Sequence, residues 1–222
     1  MEPLFLSKTD LFRGIPPEDI ESMLGCLKAA TKTYQRGEFI CREGETVTAM
    51  GMVLSGSVSI ENDDIWGNRS ILDRVGAGQV FAENYACLPG EKLMISAVAN
   101  EPTEVLFLNT DCMFTVCPHA CGFHNKLIRN MLTIAARKSL SLSRRIMHTS
   151  SKSIRGRLLS YLSFQATQHG CREFDIPFNR QQLADYLSVD RSAMSNELSK
   201  MQRDGIITVD RNHFVLLQSD HL

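Results

Sequence analysis

The feature that most limits what this chain can fold into is the stretch 118–148, which holds no glycine after Gly122 and no proline after Pro118. A run that long without either breaker reads as one extended helix. Within it Ile128, Leu132, Ala135, Ser139, Leu142 and Ile146 recur at alternating spacings of four and three. That spacing makes a coiled-coil seam. A second stripe, Leu127, Met131 and Ile134, lies beside the first. Two adjacent stripes point to two partners, the chain's own N-terminal region and a second copy of the helix; one wide core-facing stripe is the competing reading.

The helix separates two textures. Before it, a short helix begins at Pro16-Pro17-Glu18-Asp19, with prolines at its start and acids in its first turn. Brief apolar runs follow: Phe39–Cys41, Met50–Leu54, Ser57–Ile60, Ser70–Leu72 and Glu104–Leu108, separated by Gly37, Gly44, Gly56, Asn62-Asp63-Asp64 and Gly76-Ala77-Gly78. Short strands at close spacing with glycine punctuation predict a small sandwich, roll or barrel. After it, Thr149–Ser153 forms a polar break with candidate N-caps, and an amphipathic helix runs from Ile154 through Phe164. The end, Ile206–Val209 and Phe214–Leu217 around Asp210-Arg211-Asn212-His213, reads as a hairpin. The expected divisions are 1–117, 118–148 and 149–222.

Between helix and hairpin, Leu183, Leu187, Val189, Met194 and Leu198 are spaced so that two short helices share a core across a tight turn. Ala184 is small where those helices approach, and Asp190 is placed to cap the second. This is a helix-turn-helix with a wing behind it. The second helix turns Arg191, Ser192, Ser195, Asn196 and Lys200 outward, side chains able to bond base edges and phosphates in a major groove. Residues 150–222 hold nine Lys/Arg against eight Asp/Glu, so DNA binding rests on where the charges sit. The whole chain, with net charge −1, argues for no polyanionic partner in bulk.

With this order of parts the chain resembles the CRP/FNR family of bacterial transcription regulators over nearly its whole length. Gly37, Glu43-Gly44-Glu45 and Val53–Val58 look like that family's turns and strands, and Gly78–Glu83 resembles its phosphate-binding cassette. The resemblance implies an α+β fold: an N-terminal double-stranded β-roll of cyclic-nucleotide-binding type, a long dimerisation helix, and a C-terminal winged helix-turn-helix. It implies a homodimer whose recognition helices meet successive major grooves ~34 Å apart on a near-palindromic site in double-stranded DNA. By position Arg191, Ser192, Ser195 and Asn196 match base-reading residues, and Arg180 and Gln181 match backbone-contacting ones. Asn196 stands where the family often has arginine. RNA polymerase is a further implied partner, although no surface in the sequence marks its contact.

The same resemblance puts an effector pocket at Phe81, Ala82, Glu83, Asn84, Ile95, Ser96 and Ala97. Nucleotide-binding members carry an arginine just before the Ser/Thr-Ala pair, and here that residue is Ile95. An apolar side chain cannot offset a buried phosphate charge, which argues against cyclic AMP. Glu83 reads as a structural carboxylate. Cofactors are left unassigned. Cys112, Cys117, His119, Cys121 and His124 put five ligand-capable residues within thirteen positions, a candidate metal or thiol-redox site. Their spacing matches no recognised zinc motif, and packing cysteines are the competing reading.

Other classes fare worse. Seven scattered cysteines, no run long enough for a membrane span and an acidic start without a basic cluster suggest a cytoplasmic protein. No Gly-rich phosphate loop, paired-metal acidic motif or nucleophile elbow marks an enzyme. A cyclic-nucleotide-binding signalling adaptor would need no winged helix.

Overall fold

The computed structural model describes residues 2–63, 66, 69–114 and 123–217. They divide into two compact units, Met1–Arg137 and Lys138–Leu222. The division falls inside the long helix.

The first unit opens with two helices, α1 (Pro3–Leu6) and α2 (Pro17–Cys26), the latter with Glu18 and Asp19 in its first turn. Eight strands follow: β1 (Ala30–Tyr34), β2 (Phe39–Cys41), β3 (Ala49–Ser55), β4 (Ser57–Asp63), β5 (Arg69–Gly76), β6 (Val80–Phe81), β7 (Ser96–Ala99) and β8 (Thr103–Asn109). A short α3 (Glu83–Ala86) sits between β6 and β7, and α4 (Thr110–Phe114) follows β8. All described pairings are antiparallel, in two four-stranded sheets of order β1-β8-β3-β6 and β2-β7-β4-β5.

Strand alternation decides which core each side chain joins. On β3 and β8, Met50, Met52, Leu106 and Leu108 face a layer of Leu6, Phe12, Ile20 and Met23 from the N-terminal segment. Val53 and Val105 face the other way, into a cluster with Cys41, Val58, Val75, Phe81, Leu93 and Ala97 drawn from both sheets. Gly51 is required there. A Cβ on it would stand 2.3 Å from the Phe81 ring, inside contact distance.

The long helix, α5 (His124–Thr149), sends Leu127 and Met131 into the helix-layer core, with Ile128 and Ile134 packed against it. Asn130 donates to the carbonyls of Leu11 and Arg13, each at 2.9 Å. The second stripe of the sequence therefore packs on the chain's own N-terminal unit. Most of the seam does not: Leu132 is 68%, Leu142 60% and Ile146 68% exposed.

The second unit holds the end of α5, then α6 (Ile154–His169), β9 (Glu173–Asp175), α7 (Arg180–Leu187), α8 (Arg191–Arg203), β10 (Ile207–Asp210) and β11 (His213–Leu216). The polar break supplies its cap through Ser153, whose Oγ accepts from the Gly156 N–H at 3.0 Å. Leu158, Tyr161, Leu162, Leu183, Ala184, Leu187, Met194, Leu198, Ile207 and Phe214 form one core. The hairpin is tighter than the sequence suggested. Asp210 pairs with His213, so only Arg211 and Asn212 turn, and β9 adds an unforeseen third strand.

Candidate nucleic-acid interface

α7 and α8 form where the sequence placed them because both starts are capped. Asn179 Oδ1 accepts from the Gln182 N–H at 2.9 Å while Gln182 Oε1 accepts from the Asn179 N–H at 2.9 Å, a reciprocal capping box. Asp190 Oδ1 accepts from the Ala193 N–H at 2.7 Å and starts α8. Its charge also suits the positive end of the helix dipole. Met194, Leu198 and Met201 face inward, which leaves Arg191, Ser192, Asn196 and Lys200 exposed on one helix. Ser195 is only partly exposed, and its carbonyl accepts from Ser199 Oγ at 3.1 Å. Asn196 and Lys200, with Ser199, Gln202 and Arg203, line a surface groove of about 630 Å³.

Arg180 is half-buried, its guanidinium 5.6 Å from the centre of the Phe214 ring, and burial lowers its pKa. Gln181 is exposed and donates to Asp185 Oδ1 at 2.8 Å. Arg180 lines a recess of about 420 Å³ with Pro177, Phe178, Asn179, Gln182, Arg211 and Asn212. Asn212 holds the wing turn beside that recess: its carbonyl accepts from the Ile176 N–H at 2.9 Å, and its Nδ2 donates to the Ile176 carbonyl at 3.2 Å. Arg211, at the tip, has φ +53°. The sequence reading missed Arg211 as a contact candidate.

The near-even charges of residues 150–222 are unevenly partnered. Glu197 is bonded by Arg155 Nε at 2.6 Å and approached by Lys200 Nζ at 3.8 Å. Asp204 takes Arg155 Nη2 at 2.7 Å. Glu173 and Asp175 both face His213, at 3.3 and 3.0 Å. Asp185 and Asp190 are used internally as described. Arg191, Arg203 and Arg211 form no side-chain ion pair with another described residue. Glu197 and Asp204 are thus paired with Arg155, while these three arginines face outward.

In the first unit, Phe81 and Ala97 are buried in the inter-sheet cluster, with Ala82, Tyr85 and Ile95 packed against it. Ala82 takes a left-handed conformation, φ +58°, ahead of α3. Glu83 is buried and Asn84 is exposed. Ser96 Oγ accepts from the Glu43 N–H at 3.1 Å, and the Met94 N–H reaches Tyr85 Oη at 3.4 Å. Lys92, the nearest cation before Ser96, is exposed and bridges through its backbone to Thr46. Burial pushes the Cys41 thiol up to about 11.

Of the candidate metal or redox residues, Cys117, His119 and Cys121 lie outside the described residues. Cys112 is partly buried in α4, and His124 is buried with neither ring nitrogen bonded. Among the described residues no group of three or more His, Cys, Asp or Glu could hold a metal ion. Among them, too, no helix is long and apolar enough to cross a membrane.

Comparison with known proteins agrees with this organisation. Residues 31–119 match the cyclic nucleotide-binding domain family, and residues 156–222 match the Crp-like helix-turn-helix domain. The chain is 24% identical over 208 residues to the cyclic AMP receptor protein of Thermus thermophilus, covering 89% of this chain and 87% of that one. It is 22% identical over 203 residues to the transcriptional activator protein FnrL of Cereibacter sphaeroides, covering 84% and 75%. Among solved structures, a cysteine-to-serine variant of CprK complexed with OCPA superposes with TM-score 0.62 at 16% identity, covering 88% of this chain and 89% of that one. The chain belongs to the CRP/FNR family of DNA-binding transcription regulators, with a cyclic-nucleotide-binding-like sensing domain ahead of its helix-turn-helix.

Proposed function

We propose that this chain acts in the cytoplasm as a homodimeric, sequence-specific regulator of transcription whose roll senses an effector other than cyclic AMP. The observation that carries the reading is α8 itself: Arg191, Ser192, Asn196 and Lys200 exposed along one helix whose acidic neighbours are paired internally. Arg191, Ser192, Ser195 and Asn196 would read base edges, Lys200 the adjoining backbone. Arg180, Gln181 and the wing's Arg211 would contact phosphates, which fix register without reading sequence.

The exposed Leu132, Leu142 and Ile146, with Ile128, Ala135 and Ser139, supply the dimer seam. Two-fold pairing would set the recognition helices about 34 Å apart, one turn of duplex. The Thermus relative is named for cyclic AMP. In this chain Ile95 packs on the apolar inter-sheet cluster, and the Ser96 hydroxyl already accepts a backbone N–H. A cyclic phosphate entering there would lack a countercharge, costing several kcal/mol. An event in the roll would act by shifting the balance between two dimer geometries. RNA polymerase would be the downstream partner.

The test is Arg191→Ala on a duplex that the wild-type chain selects from a random library, at fixed salt. The expected loss is about 1–3 kcal/mol with relaxed preference at one base pair. Unchanged affinity and preference would sink the recognition-helix assignment.

A further inference from the structure

The end of α7 presents a problem that its own sequence does not solve. A helix leaves its last four carbonyls without intrahelical donors, and a C-terminal glycine commonly helps to satisfy them. Here Ser188 occupies the left-handed position, φ +54°, and the turn's own N–H groups reach back only to Ala184 and Asp185. The Tyr186 and Leu187 carbonyls need donors from elsewhere.

Two arginines from different helices supply them. Arg145, one turn before the end of α5, donates from Nε to the Tyr186 carbonyl at 3.2 Å and from Nη2 to the Asp185 carbonyl at 3.1 Å. Arg157 of α6 donates from Nη1 to the Leu187 and Ser188 carbonyls at 3.0 and 2.9 Å, and from Nε to the Ser151 carbonyl at 2.8 Å. Four consecutive carbonyls, 185–188, thus end on two guanidinium groups. This segment is the turn that aims α8. A planar fork spans two adjacent carbonyls in a way that an ammonium point charge cannot.

The neighbours of Arg145 bind the same turn of α5 to the unit. Arg144 lies 5.3 Å from the centre of the Phe164 ring, and the buried His148 ring packs against Tyr161, Phe164 and Tyr186. The next residue after Arg145 is Ile146, an exposed member of the seam. A shift of the seam therefore carries Arg145 with it.

We propose that Arg145 is a positioning residue: its fork ties the α7–α8 turn to the end of α5, so that α5 sets the aim of the recognition helix, while Arg157 ties the same turn to α6. This rests on the DNA-binding reading above and adds to it the residue through which α5 controls that site.

The experiment compares the full-length wild-type chain with Arg145→Gln and Arg145→Lys on two duplexes, one selected by the wild type from a random library and one a scramble of it. Amide hydrogen exchange at 186–189 is followed in parallel. For Arg145→Gln, selected-duplex affinity is expected to fall about ten- to a hundred-fold while scrambled-duplex affinity and dimerisation change by less than about twofold. Arg145→Lys, which keeps the charge and one donor direction, is expected to fall between, which also covers the case in which the glutamine variant fails to fold. Exchange at 186–189 is expected to quicken in both. Equal weakening on the two duplexes would make Arg145 a phosphate contact and overturn the proposal, as would unchanged binding or unchanged exchange. If the wild type selects no duplex at all, the DNA-binding reading fails, and the exchange comparison still decides whether Arg145 holds the turn.

Discussion

Leu142 offers the sharpest test of the dimer seam because the chain contains its own control. Leu142 is 60% exposed and lies on the proposed seam; Leu140 is 56% exposed and lies off it. Full burial of a leucine side chain stabilises by about 1.5–3 kcal/mol, so covering the exposed part of Leu142 with a partner helix contributes roughly 1–2 kcal/mol. Two-fold symmetry doubles this to about 2–4 kcal/mol per dimer. At 1.4 kcal/mol per decade, Leu142→Ala should raise the dimer dissociation constant roughly thirty- to several-hundred-fold. Leu140→Ala, removing a side chain of equal size and similar exposure, should leave it nearly unchanged. Sedimentation equilibrium across a concentration series reads both. Equal effects from the two variants, or none from Leu142→Ala, would refute a seam along this face of α5.

Three further outcomes follow from local geometry. Asp190→Ala removes the acceptor for the Ala193 N–H and should cost about 1 kcal/mol in urea denaturation of the C-terminal unit, with Asp190→Asn close to wild type. The His148 pKa is lowered, first by burial and then by Arg144. Its contacts from α6 are Ser160, Tyr161 and Phe164, and from α7 Tyr186. Because the unfolded chain binds this proton more readily, the stability it confers is present above about pH 6.5 and lost as pH falls below it. Thermal unfolding between pH 7.5 and 5 should show the loss, and His148→Phe should flatten that slope. Finally, the Cys41 thiol, raised to about 11, should resist iodoacetamide at pH 8 while the exposed Cys171 is alkylated first, as peptide mass spectrometry would show.

The parts legible in the sequence are those fixed by neighbours a few residues away. The two helices of the helix-turn-helix, the Asp190 cap and the α5 stripe of Leu127, Met131 and Ile134 all follow from local spacing, so their residues fall where expected. β1 escaped because Ala30-Thr31-Lys32-Thr33-Tyr34 lies at a sheet edge with most of its side chains exposed, leaving no apolar alternation to read. β9 escaped because only Phe174 of its three residues is buried. The roll residues depend on partners far along the chain, as Ser96 does on Glu43. Arg145 and Arg157 left no signal at all in their own segments; the only hint was the missing glycine at the end of α7, and the donors that replace it come from 30 and 41 residues away.

In the proposed dimer two copies of α8 read a two-fold symmetric sequence. Selection of duplexes from a random library by the full-length wild-type chain, read out by sequencing, tests it most directly. The expected result is an enriched near-palindrome with half-site centres about 10–10.5 base pairs apart. No enriched motif, or one without two-fold symmetry, would contradict it.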